Sequence, residues 1–294
     1  MTANSFGRSR AHAWTLLAPW IITLLVFWVY PLIYAFVMSF TEYRTLTNSM
    51  SFVGLDNYKA VFTDPGFWTA LKNTTVFTFG TVPVTTAFAL LLAVAVQQRS
   101  TRASSFFRAA YFLPSVTSLV VIALIFTNLY ARDGYVNALC AMMGLPHPEQ
   151  GWLLNEFTAL PAVMAMDVWI STGYYMILFL AGMEAIPKDI YESAELQGAT
   201  KWQQFWKITL PLLRPTMLFV IVINSIKSFQ IFVEIYVMTK GGPLGATTTL
   251  VYEVYHNAFE QSDMMGYASA LAYVIFVLLI ILSAIQLRVL RARP

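Results

Sequence analysis

Six segments of this 294-residue chain are long and apolar enough to cross a lipid bilayer. A spanning helix needs roughly 20 mostly apolar residues. Only 11% of the residues are charged, whereas soluble domains carry about a quarter. We therefore predict an all-α, polytopic membrane protein with six transmembrane helices, at about 14–39, 74–96, 107–130, 159–182, 215–239 and 268–288.

The first apolar segment runs from Trp14 to Phe40 and is longer than the ~7–15-residue core of a secretory signal. No small-residue cleavage site follows it promptly, so we expect it to stay as the first span. Residues 1–13 then form a cytoplasmic N-terminus, and residues 14–294 form one transmembrane domain.

Lysine and arginine are unevenly distributed between the two sets of connections. With the N-terminus inside, the inner segments hold 12 of them and the outer segments hold 5, while Lys227 falls within a span, which accounts for all 18. Positive residues concentrate on the cytoplasmic side of membrane proteins. We predict that both termini are cytoplasmic.

The outer connections, about 40–73, 131–158 and 240–267, are long and rich in turn residues such as Gly241-Gly242-Pro243. Their length fits a chain that docks something outside the membrane, and it fits ordinary connectors equally well.

The inner connection 183–214 is predicted to fold as two short helices joined by a glycine. Pro187 suits the first helical position, and Gly198 supplies the left-handed residue that ends a helix. Thr200 and Gln203 have the spacing of a capping box, which starts the second helix. Such an elbow either fits into a partner protein or lies on the lipid surface.

The same connection resembles the EAA motif of permeases from binding-protein-dependent ATP-binding-cassette (ABC) importers, in which Glu-Ala-Ala, Asp-Gly-Ala, Phe, Ile and Leu-Pro recur at fixed distances. Ser193 stands where alanine is usual and Gln197 where aspartate is usual. The matching residues are Glu192, Ala194, Gly198, Ala199, Phe205, Ile208, Leu210 and Pro211.

The resemblance extends over most of the chain and is closest to the carbohydrate branch, of the maltose and glycerol-3-phosphate type. Further matching stretches are Gly54–Tyr58, Leu113-Pro114, Ala185–Pro187, Leu210–Pro215 and Thr239–Pro243.

This resemblance implies a type I importer permease fold in a bacterial or archaeal cytoplasmic membrane. The implied partners are a second permease subunit, giving a heterodimer, an ATPase dimer, an extracytoplasmic sugar-binding protein and membrane lipid. The implied role is half of a path for a mono- or oligosaccharide, with glycerol-3-phosphate as the alternative solute. Coupling to the ATPase is expected at Glu192, Ala194, Gly198, Ala199, Phe205 and Pro211.

Charged residues at membrane depth are costly and usually face a protein interior or a water-filled cavity. Asp167, Lys227 and Glu234 are such residues. At 100° per residue, polar side chains share one side of the fourth span and one side of the fifth. The candidate path residues are Asp167, Ile170, Ser171 and Tyr174, with Asn224, Lys227, Ser228 and Ile231. The other interpretation is that Asp167 and Lys227 pair with each other, or with the partner subunit, for packing alone.

The sequence lacks a Gly-x-x-x-x-Gly-Lys-Ser/Thr phosphate loop, so ATP would be bound by a separate chain. We expect no catalytic residues, no cofactor, no metal site and no nucleic-acid partner. The rival hypothesis is a secondary transporter or channel that works alone, although no internal repeat of the kind common in such proteins is evident.

Overall fold

The computed structural model describes residues 3–44, 49–97 and 99–290, with side chains described over 14–43, 49–97 and 99–289. The predicted N-terminal segment 1–13 lies entirely outside the described side chains. Helices dominate: α1 (Ala3–Leu24), α2 (Tyr30–Met38), α3 (Asp56–Thr63), α4 (Pro65–Gln97), α5 (Thr101–Val116), α6 (Leu119–Leu129), α7 (Tyr135–Met142), α8 (Ala159–Glu184), α9 (Lys188–Leu196), α10 (Lys201–Gln204), α11 (Leu210–Leu212), α12 (Arg214–Phe229), α13 (Val233–Met238), α14 (Leu250–Tyr255) and α15 (Met265–Leu290).

Five helical stretches are apolar and long enough to cross a membrane: Trp14–Met38, Pro65–Gln97, Ala159–Glu184, Arg214–Met238 and Met265–Val289. The pair α5 and α6 makes a sixth if it counts as one span. The expectation of an all-α membrane fold with six apolar segments therefore agrees with the described residues.

Two of the predicted spans are broken helices. The third was expected to be one helix over 107–130, but α5 and α6 meet at 92° because Thr117 and Ser118 leave the helical conformation. The fifth is interrupted between Phe229 and Val233. Irregular backbone at membrane depth is tolerated only where it lies within protein or lines a cavity.

The second span begins earlier than predicted. The expected external connection 40–73 includes Phe67 and Trp68, but α4 already starts at Pro65, a residue suited to the first helical position. Phe67 is buried within the protein. The same connection contains an unpredicted antiparallel hairpin, β1 (Thr41–Arg44) and β2 (Ser49–Phe52), in which Thr41 pairs with Phe52.

The chain divides into two compact units, residues 1–64 with 254–274, and residues 65–253 with 275–294. In the first unit, Asn57 Nδ2 donates to the carbonyls of Ser39 at 3.0 Å and Thr41 at 2.9 Å. Tyr267 donates its hydroxyl to Asp64 at 2.7 Å. These bonds hold α3 and the start of α15 around the hairpin.

The second unit is built on the packing of α4 and α8, whose facing side chains are largely buried. Helix α5 crosses α8 at Gly173, where a Cβ atom would lie 1.8 Å from the carbonyl oxygen of Tyr111. Only glycine permits so close an approach of two backbones. The predicted candidate residues all lie in this unit.

Candidate functional site

The connection between α8 and α12 forms an exposed elbow, as its sequence predicts. Helix α9 begins at Lys188, one residue later than expected, with Pro187 as its N-cap, and it has no buried side chain. Gly198 has φ = +78°, and a Cβ atom there would meet no atom within 4 Å. The glycine is therefore required by backbone conformation and not by crowding.

The second arm of the elbow begins with the predicted capping box. Thr200 Oγ1 accepts a hydrogen bond from the Gln203 N–H at 3.3 Å, and Gln203 Oε1 accepts one from the Thr200 N–H at 2.9 Å. Both bonds satisfy N–H groups that a helix start leaves open.

An ion pair links the two arms across Gly198. Lys201 Nζ donates to the Glu195 carboxylate, and these bonds with Lys201 hold the pKa of Glu195 below its usual value. The aspartate that the family pattern expects at position 197 is absent, and this pair, two residues further back, connects the arms instead.

Hydrogen bonds between polar side chains and backbone groups join the two arms at the base of the elbow. The Tyr191 hydroxyl and Thr209 Oγ1 lie 2.9 Å apart, joining α9 to the segment after α10. The Gln204 side chain is buried and donates to the Ala199 carbonyl at 3.3 Å. A cavity of about 290 Å³ opens here, lined by Val94, Gln97, Tyr191, Lys201, Gln204, Phe205 and Thr209.

The predicted coupling residues are accessible on this elbow. Glu192 and Gly198 are exposed, and Ala194, Ala199, Phe205 and Pro211 are half-buried. Trp202 and Trp206, which form its apolar side, are 70% and 50% exposed. Large apolar side chains that stay this exposed indicate an interaction surface.

The three charged residues of the spans form one cluster. Lys227 Nζ donates to Asp167 Oδ1 and to Ser171 Oγ at 3.0 Å, and lies 4.0 Å from Glu234 Oε1. Both carboxylates are buried, whereas the lysine side chain is 39% exposed. The predicted pairing of Asp167 with Lys227 is present, and Glu234, which was not among the predicted path residues, belongs to the same cluster.

Lys227 also lines a cavity of about 280 Å³. Three other predicted path residues share that lining, Ile170, Ser171 and Tyr174. The remaining lining residues are Ser115, Thr117, Leu119, Tyr175 and Ile223. A second cavity of about 360 Å³, lined by Ile223, Ile226, Lys227 and Gln230, meets the same lysine.

The other predicted residues of the fifth span lie elsewhere. Asn224 and Ser228 are fully buried, and the Ser228 hydroxyl lies 3.4 Å from Thr81 Oγ1 of α4. Ile231 falls in the break between α12 and α13 and packs in the apolar core. The structure therefore places four predicted path residues in the cavity lining and Asp167 behind it, bonded to Lys227. Asn224, Ser228 and Ile231 lie away from the lining.

Sequence reasoning missed a row of threonines on α4. Thr74, Thr78, Thr81 and Thr85 are buried on one face, at the alternating spacing of three and four residues that marks a helix face. Within the described residues, the Oγ1 atoms of Thr78 and Thr85 have no hydrogen-bond partner. The spacing is present in the sequence. Threonine is uncharged, however, and does not mark a functional site at membrane depth as a charged residue does.

A larger cavity, of about 580 Å³, lies between α4, α5 and α8 and has none of the predicted path residues in its lining. Among the described residues, no group of three or more His, Cys, Asp or Glu side chains is placed to hold a metal ion. The cavity at Lys227, which adjoins the charged cluster, and the exposed elbow are the two candidate sites.

Apolar spanning helices, a broken span beside a cavity that contains a lysine, and an exposed helical elbow fit a membrane permease. The chain belongs to the family of binding-protein-dependent transport system inner membrane components, whose family model matches residues 85–293.

Curated relatives align over almost the whole chain. The lactose transport system permease protein LacF of Rhizobium radiobacter is 34% identical over 96% of this chain and 95% of its own length. The arabinooligosaccharides transport system permease protein AraP of Bacillus subtilis is 34% identical over 96% of this chain and 90% of its own length. The sn-glycerol-3-phosphate transport system permease protein UgpA of Agrobacterium fabrum is 33% identical over 95% and 94%.

Solved structures show the same fold. A chain of a bacterial ABC transporter involved in the import of the acidic polysaccharide alginate superposes with a TM-score of 0.83 at 23% identity, covering 98% of each chain. A chain of the bacterial alginate ABC transporter in complex with an alginate pentasaccharide-bound periplasmic protein superposes with a TM-score of 0.84 at 23% identity. The match covers 97% of this chain and 96% of the other. The family match and the curated relatives, together with this fold, identify the chain as an ABC importer permease of the type I fold.

Proposed function

We propose that this permease forms half of the membrane path for a sugar delivered by an extracytoplasmic binding protein. The observation that carries this proposal is the cavity at Lys227, where hydroxyl groups of Ser171 and Tyr174 line the wall. Hydroxyls and an aromatic ring suit a solute rich in hydroxyl groups, because each sugar hydroxyl both donates and accepts hydrogen bonds. Relatives named for lactose and arabinooligosaccharides support the same solute class.

The second part of the proposal concerns the elbow, which docks into a separate ATPase subunit. Its exposed tryptophans provide an apolar contact, and its capping box and ion pair fix the angle between its arms. A rigid element transmits displacement, whereas a flexible loop absorbs it. Glu192, Ala194, Gly198, Ala199, Phe205 and Pro211 are the proposed coupling residues.

The proposed assembly contains a second, different permease subunit, an ATPase dimer and the binding protein, in a bacterial or archaeal cytoplasmic membrane. The 12-to-5 distribution of basic residues supports a topology with both termini in the cytoplasm. The elbow then lies on the side where ATP is available.

Reconstitution tests the proposal. The sugar that co-purifies with the binding protein is identified by mass spectrometry and then supplied in labelled form to proteoliposomes. We expect uptake only when the second permease, the ATPase subunit, the binding protein and ATP are all present. Uptake by this chain without the ATPase subunit would instead establish a secondary transporter or channel.

Glycerol-3-phosphate is the second candidate solute, because UgpA is 33% identical and Lys227 lines the cavity. Mass spectrometry of the loaded binding protein distinguishes the two solutes directly.

A further inference from the structure

We propose that the cavity at Lys227 excludes anionic solutes, and that Asp167 and Glu234 are the residues that impose this selectivity. The inference rests on the proposed function and narrows it: the solute is a neutral carbohydrate, and not a sugar acid or a sugar phosphate.

The lysine is already neutralised by the protein. Its ammonium has three N–H donors; one bonds to Asp167 and one to Ser171, and the Glu234 carboxylate lies 4.0 Å away on the same ammonium. The cluster thus holds one formal positive charge and two formal negative charges. An approaching carboxylate or phosphate meets a wall with no net positive charge.

The rest of the wall that the described residues of this chain contribute adds no positive charge. In the part of the chain that the structure describes, the residues that line the two cavities are uncharged apart from Lys227: Ser115, Thr117, Leu119, Ile170, Ser171, Tyr174, Tyr175, Ile223, Ile226 and Gln230. An anion loses its hydration on entering such a site and regains no cation that is free to pair with it. A neutral sugar needs only hydrogen bonds. The hydroxyl oxygens of Ser115, Thr117 and Ser171, whose protons are bonded within the protein, can accept them, and the Tyr174 hydroxyl belongs to the same wall.

The two carboxylates are placed where a solute cannot displace them. Asp167 is fully buried and Glu234 is 3% exposed, whereas Lys227 reaches the cavity with 39% of its side chain exposed. The lysine therefore presents a hydrogen-bonding group to the cavity, while the two buried carboxyl groups balance its charge. Lys227 alone would suggest a binding site for an anion. With Asp167 and Glu234 beside it, the site favours a neutral solute.

The test measures the local electrostatic potential with charged thiol reagents, so it needs no knowledge of the solute. Cys140, the one cysteine of the chain, is replaced by serine, and Ile223→Cys places a thiol in both cavities. The complete importer in nanodiscs reacts separately with anionic sulfonatoethyl methanethiosulfonate and cationic trimethylammonioethyl methanethiosulfonate. Leu196→Cys, at a position 91% exposed on the elbow, is the matched control.

Four backgrounds change the cluster charge stepwise: Lys227→Met, the parent, Glu234→Gln, and Asp167→Asn with Glu234→Gln. We expect the anionic-to-cationic rate ratio at Ile223→Cys to be below the control value in the parent and to rise about threefold or more at each step, since each adds one positive charge near the thiol. At Leu196→Cys the ratio should stay constant. The glutamine and asparagine variants keep the shapes of the original side chains, so the series does not depend on Lys227→Met folding.

A parent ratio at or above the control value would overturn the inference, as would a ratio that ignores the charge series. An anionic solute found on the binding protein would also overturn it. Each of these three results would leave the transport proposal intact, because that proposal is judged by ATP-dependent uptake.

Discussion

The side chain of Asn224 is fully buried, and within the described residues its Nδ2 atom has no hydrogen-bond partner. A buried donor without a partner costs about 1–3 kcal/mol. Such a cost is acceptable where the group finds its partner in another state of the protein. Asn224 is therefore a candidate for a contact made only during transport, even though it does not line the cavity in this structure.

We expect Asn224→Ala to lower the rate of solute uptake about fivefold to tenfold, the equivalent of one lost hydrogen bond of ~1 kcal/mol, while the importer still assembles. Uptake into proteoliposomes and size-exclusion chromatography measure the two effects. Asn128→Ala is the matched control, because Asn128 is exposed on α6 and donates only to the Leu124 carbonyl in its own helix. Unchanged uptake would remove Asn224 from the site.

The Glu195–Lys201 pair makes a pH prediction with a definite sign. Because bonds with Lys201 lower the pKa of Glu195 in the folded elbow, the contribution of this pair is present above the ordinary carboxyl pKa of about 4.3 and is lost as the pH falls through the folded value. The contribution of the Glu195–Lys201 pair to the stability of the elbow should therefore stay constant near neutral pH.

Carboxyl carbon chemical shifts across a pH titration test this point. Lys201→Met should move the Glu195 midpoint upward, toward that of a free carboxyl group, whereas Lys188→Met should leave it in place. An equal midpoint in the Lys201→Met protein and the parent would show that the ion pair does not form in solution.

At this scale, local patterns predicted local chemistry. The Thr200–Gln203 capping box and the left-handed Gly198 follow from spacing and residue type, and both are confirmed. The association of Glu234 with Lys227 was not predicted, because it depends on the non-helical turn at residues 230–232. Helical periodicity cannot place side chains across such a break.

Among the elements, the elbow offers the sharpest comparison, because two glycines share its conformation. Gly198 on the elbow has φ = +78° and Gly144 in the connection 131–158 has φ = +67°, and a Cβ atom at either site would meet nothing within 4 Å. Alanine therefore costs a similar ~1–2 kcal/mol of backbone strain at both positions. Any difference between the two variants reflects the role of the segment.

We expect Gly198→Ala to uncouple ATP hydrolysis from uptake, with transport reduced about tenfold or more, because a strain of ~1–2 kcal/mol is relieved by changing the angle between the elbow arms. Gly144→Ala should transport like the parent. Uptake and ATP hydrolysis are measured on the same proteoliposomes. Equal activity of the two variants would argue against the elbow as the coupling element.

Element positions were predicted more reliably than element continuity. Long apolar runs located each membrane segment, since hydrophobic length is a local property of the sequence. The 92° bend after α5 was missed, although Pro114 lies close to it, because proline also occurs within continuous helices such as α4 at Pro83. Which proline accompanies a break depends on tertiary packing, here the Ser115 hydroxyl bonded to the Ile170 carbonyl at 2.6 Å.

For the whole molecule, the charge distribution predicts which loops face outward, and Cys140 allows a direct test. It lies in the connection 131–158 and is partly accessible. We expect a membrane-impermeant maleimide to label Cys140 from outside intact spheroplasts. In a Cys140→Ser chain, Leu196→Cys on the elbow should be labelled only after the membrane is opened. The reverse pattern would invert the topology.

The break between α5 and α6 has a consequence for mutagenesis. Ending one helix and starting another frees peptide C=O and N–H groups from helical bonding, and this break adjoins a cavity wall that contains Ser115 and Thr117. Peptide groups are the same whatever side chain they carry. Side-chain substitution at these positions therefore removes the hydroxyls of Ser115 and Thr117 and leaves the peptide groups of the break in place.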